Sequence, residues 1–167
     1  MFNIVKLISL QNKKIKSVSL EVSSHALEQN RLGNLKFLIS GFTNLSQDHL
    51  DYHGSLKNYL HAKSKLFQKG VSEKFVYIDS SESKKIVEIS NIDSYSIGTK
   101  ESNDVRLINY DDKKIKFIID GIQLECELSL SGPKYIENFL LAFSMAYYSD
   151  QYNFCLLYTS DAADESR

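Results

Sequence analysis

Residues 74–97 read KFVYIDSSESKKIVEISNIDSYSI. The run over residues 74–79 is short and rich in aromatic and β-branched residues, which predicts a strand. A serine-rich break leads into residues 81–90, which read as a short helix, and residues 93–97 return to strand. Strand, helix and strand in that order build an α/β sheet. Toward the N-terminus, residues 34–43 carry Leu35, Phe37, Leu38, Ile39 and Phe42 around Gly41, again a strand pattern. Residues 17–22 alternate, with Val18, Leu20 and Val22 on one face, and predict a further strand with Glu21 near its end. Ser55 suits the N-cap of a helix running to about Gln68, and Gly70 lies just past it as a stop. Toward the C-terminus, strands are expected over residues 105–110, 115–119 and 122–130, with Asp120-Gly121 as a two-residue hairpin turn. Residues 134–148 show helical spacing through Ile136, Phe139, Leu140, Phe143 and Tyr147, with Gly132-Pro133 at the start. The expected fold is therefore α/β: a mostly parallel sheet with helices, plus a small antiparallel accessory sheet.

A chain of 167 residues is long enough for one sizeable core. Its formal net charge of -1 gives no electrostatic case for nucleic acid or an anionic membrane as partner. No stretch approaches the length of an apolar membrane span. The opening MFNIVKLISLQNKK lacks the basic segment and cleavage site of a signal peptide, and reads as mature chain or a truncated start. Cys126 and Cys155 form no C-x-x-C pair and no zinc-type cluster, which suits reduced thiols in the cytoplasm. From Cys155 the chain reads CLLYTSDAADESR and helical spacing dissolves. That string looks like a translated sequencing adapter, although a genuine C-terminal tail would read similarly. The expected organisation is residues 1–154 as a partial domain and residues 155–167 as the adapter-derived tail.

Three groups of residues carry possible chemistry. Glu21 stands near a strand end, where active groups of α/β sheets gather, and a carboxylate there suits Mg²⁺. A surface glutamate followed by a serine helix cap fits the same letters. The segment Thr43 to His53 holds Asp48, His49, Asp51 and His53, a dense supply of metal ligands or a solvated capping loop. Lys63 falls inside the apolar stripe of Leu56, Tyr59, Leu60, Leu66 and Phe67, whereas Lys57 and Lys65 point elsewhere. A desolvated lysine offers a neutral amine that reacts with CO₂ to give a metal-binding carbamate. A lysine whose stem packs while its head reaches water fits the same spacing.

Read in order, EVSSHALEQNRLG (residues 21–33) and FTNLSQDHLDYHGSLKNYLHAKSKLF (residues 42–67) resemble the central-domain signature of the Mur ligases. The likeness is to the branch that adds meso-diaminopimelate or L-lysine to UDP-N-acetylmuramoyl-L-alanyl-D-glutamate. SGPKYIENFLLAFSMA (residues 131–146) is similar to a later family segment, with less detail in common. The family's Asn-x-Asp-Asp-like stretch is replaced here by YIDSSE (residues 77–82). The resemblance implies that Lys63 is the carbamylated, catalytic lysine, and that Glu21, His49 and Lys63 serve magnesium. It implies that Ser23, Gln29 and Arg31 hold the UDP-muramoyl peptide, with Asn44 and Asn138 on the nucleotide side. The implied reaction is ATP-dependent ligation through an acyl phosphate, in peptidoglycan synthesis, with ATP and Mg²⁺ as cofactors and no nucleic-acid or membrane partner.

No G-x-x-x-x-G-K-[ST] phosphate loop begins at any of the seven glycines. The resemblance places that loop upstream, and N- and C-terminal domains on either side, so the expectation is an incomplete central ATPase domain that turns over no ATP alone. Rival readings are a sister Mur ligase or folylpolyglutamate-synthase-like enzyme, a metal-dependent hydrolase built on DHLDYH, and a binding module that kept the scaffold.

Overall fold

The computed structural model of the protein describes residues 17–45, 50–128 and 132–149. Six strands form one sheet whose spatial order is the chain order: β1 (Phe37–Phe42), β2 (Ser72–Ile78), β3 (Asp93–Gly98), β4 (Val105–Tyr110), β5 (Lys114–Ile119) and β6 (Ile122–Glu127). The helices are α1 (Ser24–Glu28), α2 (Leu50–His53), α3 (Leu56–Ser64), α4 (Ser81–Ile89) and α5 (Pro133–Tyr148). Strands β1 to β4 pair in parallel, and β4, β5 and β6 pair antiparallel. The antiparallel part is thus a continuation of the same sheet, not a detached one.

Alternation along β2 sends Phe75 to one face and Val76 to the other, each fully buried. Val76 joins Ile97, Val105, Ile115, Phe117 and Ile119 beneath Ile136, Leu140 and Leu141 of α5. Phe75 joins Phe42, Leu66, Phe67 and Ile86 beneath α3 and α4. The result is three layers, with helices on both faces, as a parallel sheet requires.

Parallel neighbours usually need a crossover of about a dozen residues. β3 and β4 manage with a short loop because they overlap by only two pairs, Ile97 with Val105 and Gly98 with Arg106. Gly98 permits that tight course: a Cβ there would sit 2.5 Å from Asn103 Oδ1. The β5–β6 turn follows from Asp120 and Gly121, both at positive φ (49° and 78°), the backbone a two-residue hairpin favours. Pro133 occupies the first turn of α5.

Two expectations need correction. Residues 17–22 carry no ladder, and Val18 is exposed. Alternation signals a surface able to be half covered, but a strand also needs a hydrogen-bonding neighbour, and none lies beside this segment among the described residues. The helix after Ser55 is α-helical only to Ser64. It then tightens into a 3₁₀ turn, Lys65–Phe67, which lets Ser72 Oγ donate to the Leu66 carbonyl at 2.7 Å. Residues 129–130 of the last expected strand, and the whole tail 155–167, lie outside the described residues.

Candidate functional site

In open α/β sheets ligands gather beyond the carboxyl ends of the strands, which here are the ends of β1 and β2. Beyond β1 the chain passes Thr43 and Asn44, both exposed. Lys63 projects from the last turn of α3 toward this exit. Its Nζ donates to the Asn44 carbonyl at 3.4 Å. It also lies 5.1 Å from the ring centre of Tyr59 and 5.9 Å from that of Phe42. Both rings are buried, and Lys63 itself is half-buried. The stripe read from spacing is therefore real at Tyr59, Leu66 and Phe67, while Leu56 at its start is exposed. Lys57 is exposed, and Lys65 turns instead to a cleft at the opposite end of the sheet. The setting of Lys63 combines a packed stem with an amine held over aromatic faces, an attraction of about 0.5–1 kcal/mol for the cationic form at a partly exposed site.

Glu21 is exposed, three residues before a small buried assembly. Ser23 caps α1, its hydroxyl accepting from Ala26 N–H at 3.2 Å. Ser24 is 3% exposed and its Oγ shares a 2.9 Å hydrogen bond with His53 Nε2. The His53 side chain is wholly buried, and its Nδ1 lies 3.2 Å from Glu28 Oε2. That contact is within ion-pair distance but off the ring N–H direction, so Nδ1 has no directed hydrogen bond. A carboxylate on this side favours the tautomer with the proton on Nδ1, leaving Nε2 to accept from Ser24. The His53 ring stacks on Tyr59 at 4.9 Å and 20°, and meets Tyr52 edge-on. Gln29 Nε2 donates to Tyr52 Oη at 3.1 Å, and Asn58 Nδ2 donates to the His53 carbonyl at 2.9 Å.

Ser24, His53 and Glu28 follow the order of a nucleophile, base and carboxylate relay. Ser24 and His53 are both buried, which suits an internal fastening rather than a relay open to substrate. The assembly fastens the EVSSH segment to the DYHG segment. His53 is accordingly not part of an open supply of metal ligands, contrary to one sequence reading of the Thr43–His53 segment. His49 lies outside the described residues. Among the described residues no cluster of three His, Cys, Asp or Glu side chains is placed to hold a metal. Glu21 and Lys63 would complete such a set only if the lysine carried an acid group, because an ammonium cannot ligate a cation.

At the end of β2, Asp79 accepts from Lys100 Nζ at 2.7 Å and from Asn103 Nδ2 at 3.4 Å, and Lys84 approaches at 3.6 Å. The hydrogen bond from Lys100 holds its carboxyl below the usual carboxylate range. Ser80, the next residue, caps α4 in a reciprocal box with Ser83. The YIDSSE departure is thus used locally, in an ion pair and a helix cap. Helix α5 runs against the strands: Leu141 lies beside Gly41 in the last half of β1, whereas the Tyr148 carbonyl receives Lys74 Nζ near the start of β2. Asn138, exposed and one turn before Leu141, therefore lies toward the same end of the sheet as Asn44 and Asp79. Gln29 and Arg31 are exposed at the end of α1.

A cleft of about 350 Å³ opens where β1 and β2 begin, lined by Leu27, Leu35, Lys36, Lys65 and Val71 among others. Its lining contains no carboxylate and it lies away from Asn44 and Asp79, so it is not the candidate site. Cys126 is a free thiol that burial pushes up in pKa, which makes it a poor nucleophile. No helix among the described residues is long and apolar enough to cross a membrane.

Sequence reasoning missed the Ser24–His53 bond and the Asp79–Lys100 pair. Both join residues far apart in the chain, so periodicity carried no trace of them. The only available signal was His53 itself, a histidine next to aromatic Tyr52 and six residues before Tyr59.

Residues 3–146 match the Mur ligase middle domain. A UDP-N-acetylmuramoyl-L-alanyl-D-glutamate--2,6-diaminopimelate ligase of Caldanaerobacter subterraneus subsp. tengcongensis is 36% identical over 117 residues, which is 70% of this chain and 23% of that protein. The ligase of the same name from Rickettsia bellii is 34% identical over 148 residues, covering 84% of this chain and 31% of its own length. The chain thus spans less than a third of these relatives. A solved structure of a ligase of that name superposes with a TM-score of 0.72 at 28% identity, over 79% of this chain and 29% of that one. MurF from Thermotoga maritima, solved in complex with ADP, shares the fold at a TM-score of 0.56 and 13% identity, over 83% of this chain and 34% of its own.

Proposed function

Because this chain belongs to the Mur ligase family through its middle domain, we propose that it is the central part of a ligase adding a diamino acid to UDP-N-acetylmuramoyl-L-alanyl-D-glutamate. The names of its relatives favour meso-diaminopimelate as that amino acid. The observation that carries the reading is the seat of Lys63 above Tyr59 and Phe42, beside the backbone exit of β1. It is the lysine of HAKSKLF, where the family resemblance expects a carbamate.

A carboxylate resists attack by an amine because its carbon is electron-rich and its leaving group poor. Transfer of phosphate from ATP to the D-glutamyl carboxylate gives an acyl phosphate, and the incoming amine then displaces phosphate. The chain's own residues contribute charge and position more than covalent chemistry. Glu21, His49 and carbamylated Lys63 would hold Mg²⁺, which when bound offsets the phosphate charge. Ser23 has its acceptor engaged as a helix cap and keeps its hydroxyl proton to donate to substrate. Gln29 and Arg31, exposed at the end of α1, would meet the UDP-muramoyl peptide, with the guanidinium pairing an anionic group. Asn44 and Asn138 would face the nucleotide. Since ATP and UDP-linked precursors are cytoplasmic, the enzyme would act there.

Carbamylation reverses the charge over two ring faces and beside a carbonyl, all of which attract a cation and repel an anion. The carbamate should therefore persist only with a divalent ion beside it. The test is a ligase assay on the longer protein that contains this sequence, with ATP, Mg²⁺, the UDP-muramoyl dipeptide and meso-diaminopimelate. ADP release that depends on the diamino acid is expected. More than one equivalent of ADP without it, or no release at all, contradicts the proposal, since forming the acyl phosphate accounts for a single equivalent.

A further inference from the structure

We propose that Tyr52 contacts substrate directly, donating its hydroxyl proton to an anionic oxygen of the UDP-muramoyl peptide. The proposal rests on the reading that Gln29 and Arg31 meet that peptide, and it sets a third side chain beside them. Tyr52 and His53 are neighbours in α2, yet their side chains part: His53 is buried and Tyr52 is 44% exposed. An exposed tyrosine is usually free to turn, but this one is held at three places. Its ring lies 4.0 Å from that of His25 and meets the His53 ring edge-on at 4.9 Å. Its Oη accepts from Gln29 Nε2 at 3.1 Å. His53 is itself fixed by Ser24 and Tyr59, so the Tyr52 ring leans on a buried support.

The hydrogen bonds already made decide what these side chains can still receive. A phenol oxygen that accepts from Gln29 keeps its own proton, and no described residue takes that proton. Gln29 keeps one amide N–H. Arg31, two residues further on, is exposed, and its guanidinium has no partner among the described residues. The acidic neighbour Glu28 is engaged with His53 Nδ1 at 3.2 Å. Apart from the Gln29 carbonyl oxygen, the free groups of Tyr52, Gln29 and Arg31 are donors, one of them permanently charged. Such a set suits an anionic oxygen, to which hydrogen bonds are stronger than to a neutral one. The UDP-muramoyl peptide carries such oxygens in its diphosphate and its peptide carboxylates. Because the Tyr52 ring is fixed before substrate arrives, little freedom is lost when its hydroxyl binds.

The test is steady-state kinetics of the longer ligase. KM for the UDP-muramoyl dipeptide is measured in Tyr52→Phe, Gln29→Ala, Arg31→Ala and the double variant Tyr52→Phe/Gln29→Ala. Tyr52→Phe removes one oxygen and keeps the ring against His25 and His53, so the melting temperature should hold. Its KM for the dipeptide should rise about 10-fold or more, the effect of losing one hydrogen bond to a charged group. KM for ATP and for the diamino acid should stay unchanged. The double variant should bind the dipeptide more weakly than Gln29→Ala alone. Inhibition by UDP, which lacks the peptide, locates the oxygen. A matching loss of inhibition in Tyr52→Phe assigns it to the diphosphate, and unchanged inhibition assigns it to the peptide carboxylates. If Gln29→Ala and Arg31→Ala raise KM while Tyr52→Phe does not, Tyr52 does not touch substrate and the proposal is overturned. It is overturned equally if the double variant matches Gln29→Ala, since Tyr52 then acts only through Gln29. If no variant raises KM, the reading of Gln29 and Arg31 fails with it.

Discussion

Gly41 of β1 and Met145 of α5 are packed so closely that a Cβ at position 41 would lie 2.6 Å from Met145 Sδ and 3.2 Å from Leu141 Cδ2. The missing side chain lets α5 settle against the carboxyl half of β1, which sets where the helix delivers Asn138.

Gly41→Val should therefore destabilise the fold by about 1–3 kcal/mol, the usual cost of overpacking. The measurement is the urea midpoint at constant m-value. An unchanged midpoint would mean that Met145 swings aside freely and that the close approach is incidental.

Gly121 offers a contrast, because nothing lies within 4 Å of its would-be Cβ while its φ is 78°. Gly121→Val should cost about 1–2 kcal/mol for conformational reasons alone. Hydrogen exchange in the β5–β6 hairpin should rise with it. Equal protection in the variant would show that the turn adopts another geometry.

Those two glycines also show what was legible in the sequence. The hairpin was readable because its determinants are adjacent: Asp120 and Gly121 dictate the turn, and alternation sets the register around it. Helix α5 was readable for the same reason, through Ile136, Leu140 and their neighbours at helical spacing. The strand expected over residues 17–22 was not, since alternation reports a suitable surface and not the presence of a partner. At the site, Lys63 stood out because a charge inside an apolar stripe is a local anomaly. His53 did not, because its partners Ser24 and Glu28 lie far away along the chain and only folding brings them within reach.

Asp79 should give a pH-dependent share of stability. The hydrogen bond from Lys100 lowers its pKa in the folded state, so the stabilisation is complete above the unfolded value of 3.8 and is lost as pH falls through the lower folded value. With Lys100 largely exposed, the effect is about 0.5–1 kcal/mol. Asp79→Asn should therefore be less stable than the parent at pH 7 and indistinguishable from it at strongly acidic pH. A difference that persists in acid would assign the effect to packing.

If Lys63 carries the proposed carbamate, Lys63→Ala in the longer protein should lower kcat of the proposed ligation by about 100-fold or more, the cost of losing a group that fixes charge in the transition state. Lys63→Arg should fail equally, because a guanidinium keeps the positive charge and does not take up CO₂. Partial return of Lys63→Ala activity with added short carboxylates would locate the missing anion at this position. Wild-type activity from Lys63→Arg would show that a cation is what the site needs.

In the proposed ligase the amine of Lys63 becomes an anion beside a divalent ion. Carbon NMR of the longer ligase equilibrated with ¹³C-bicarbonate, Mg²⁺ and nucleotide tests it directly. A carbamate resonance is expected that disappears in Lys63→Ala and fades when Mg²⁺ is chelated. A spectrum without that resonance, or one in which it survives the loss of Lys63, would contradict it.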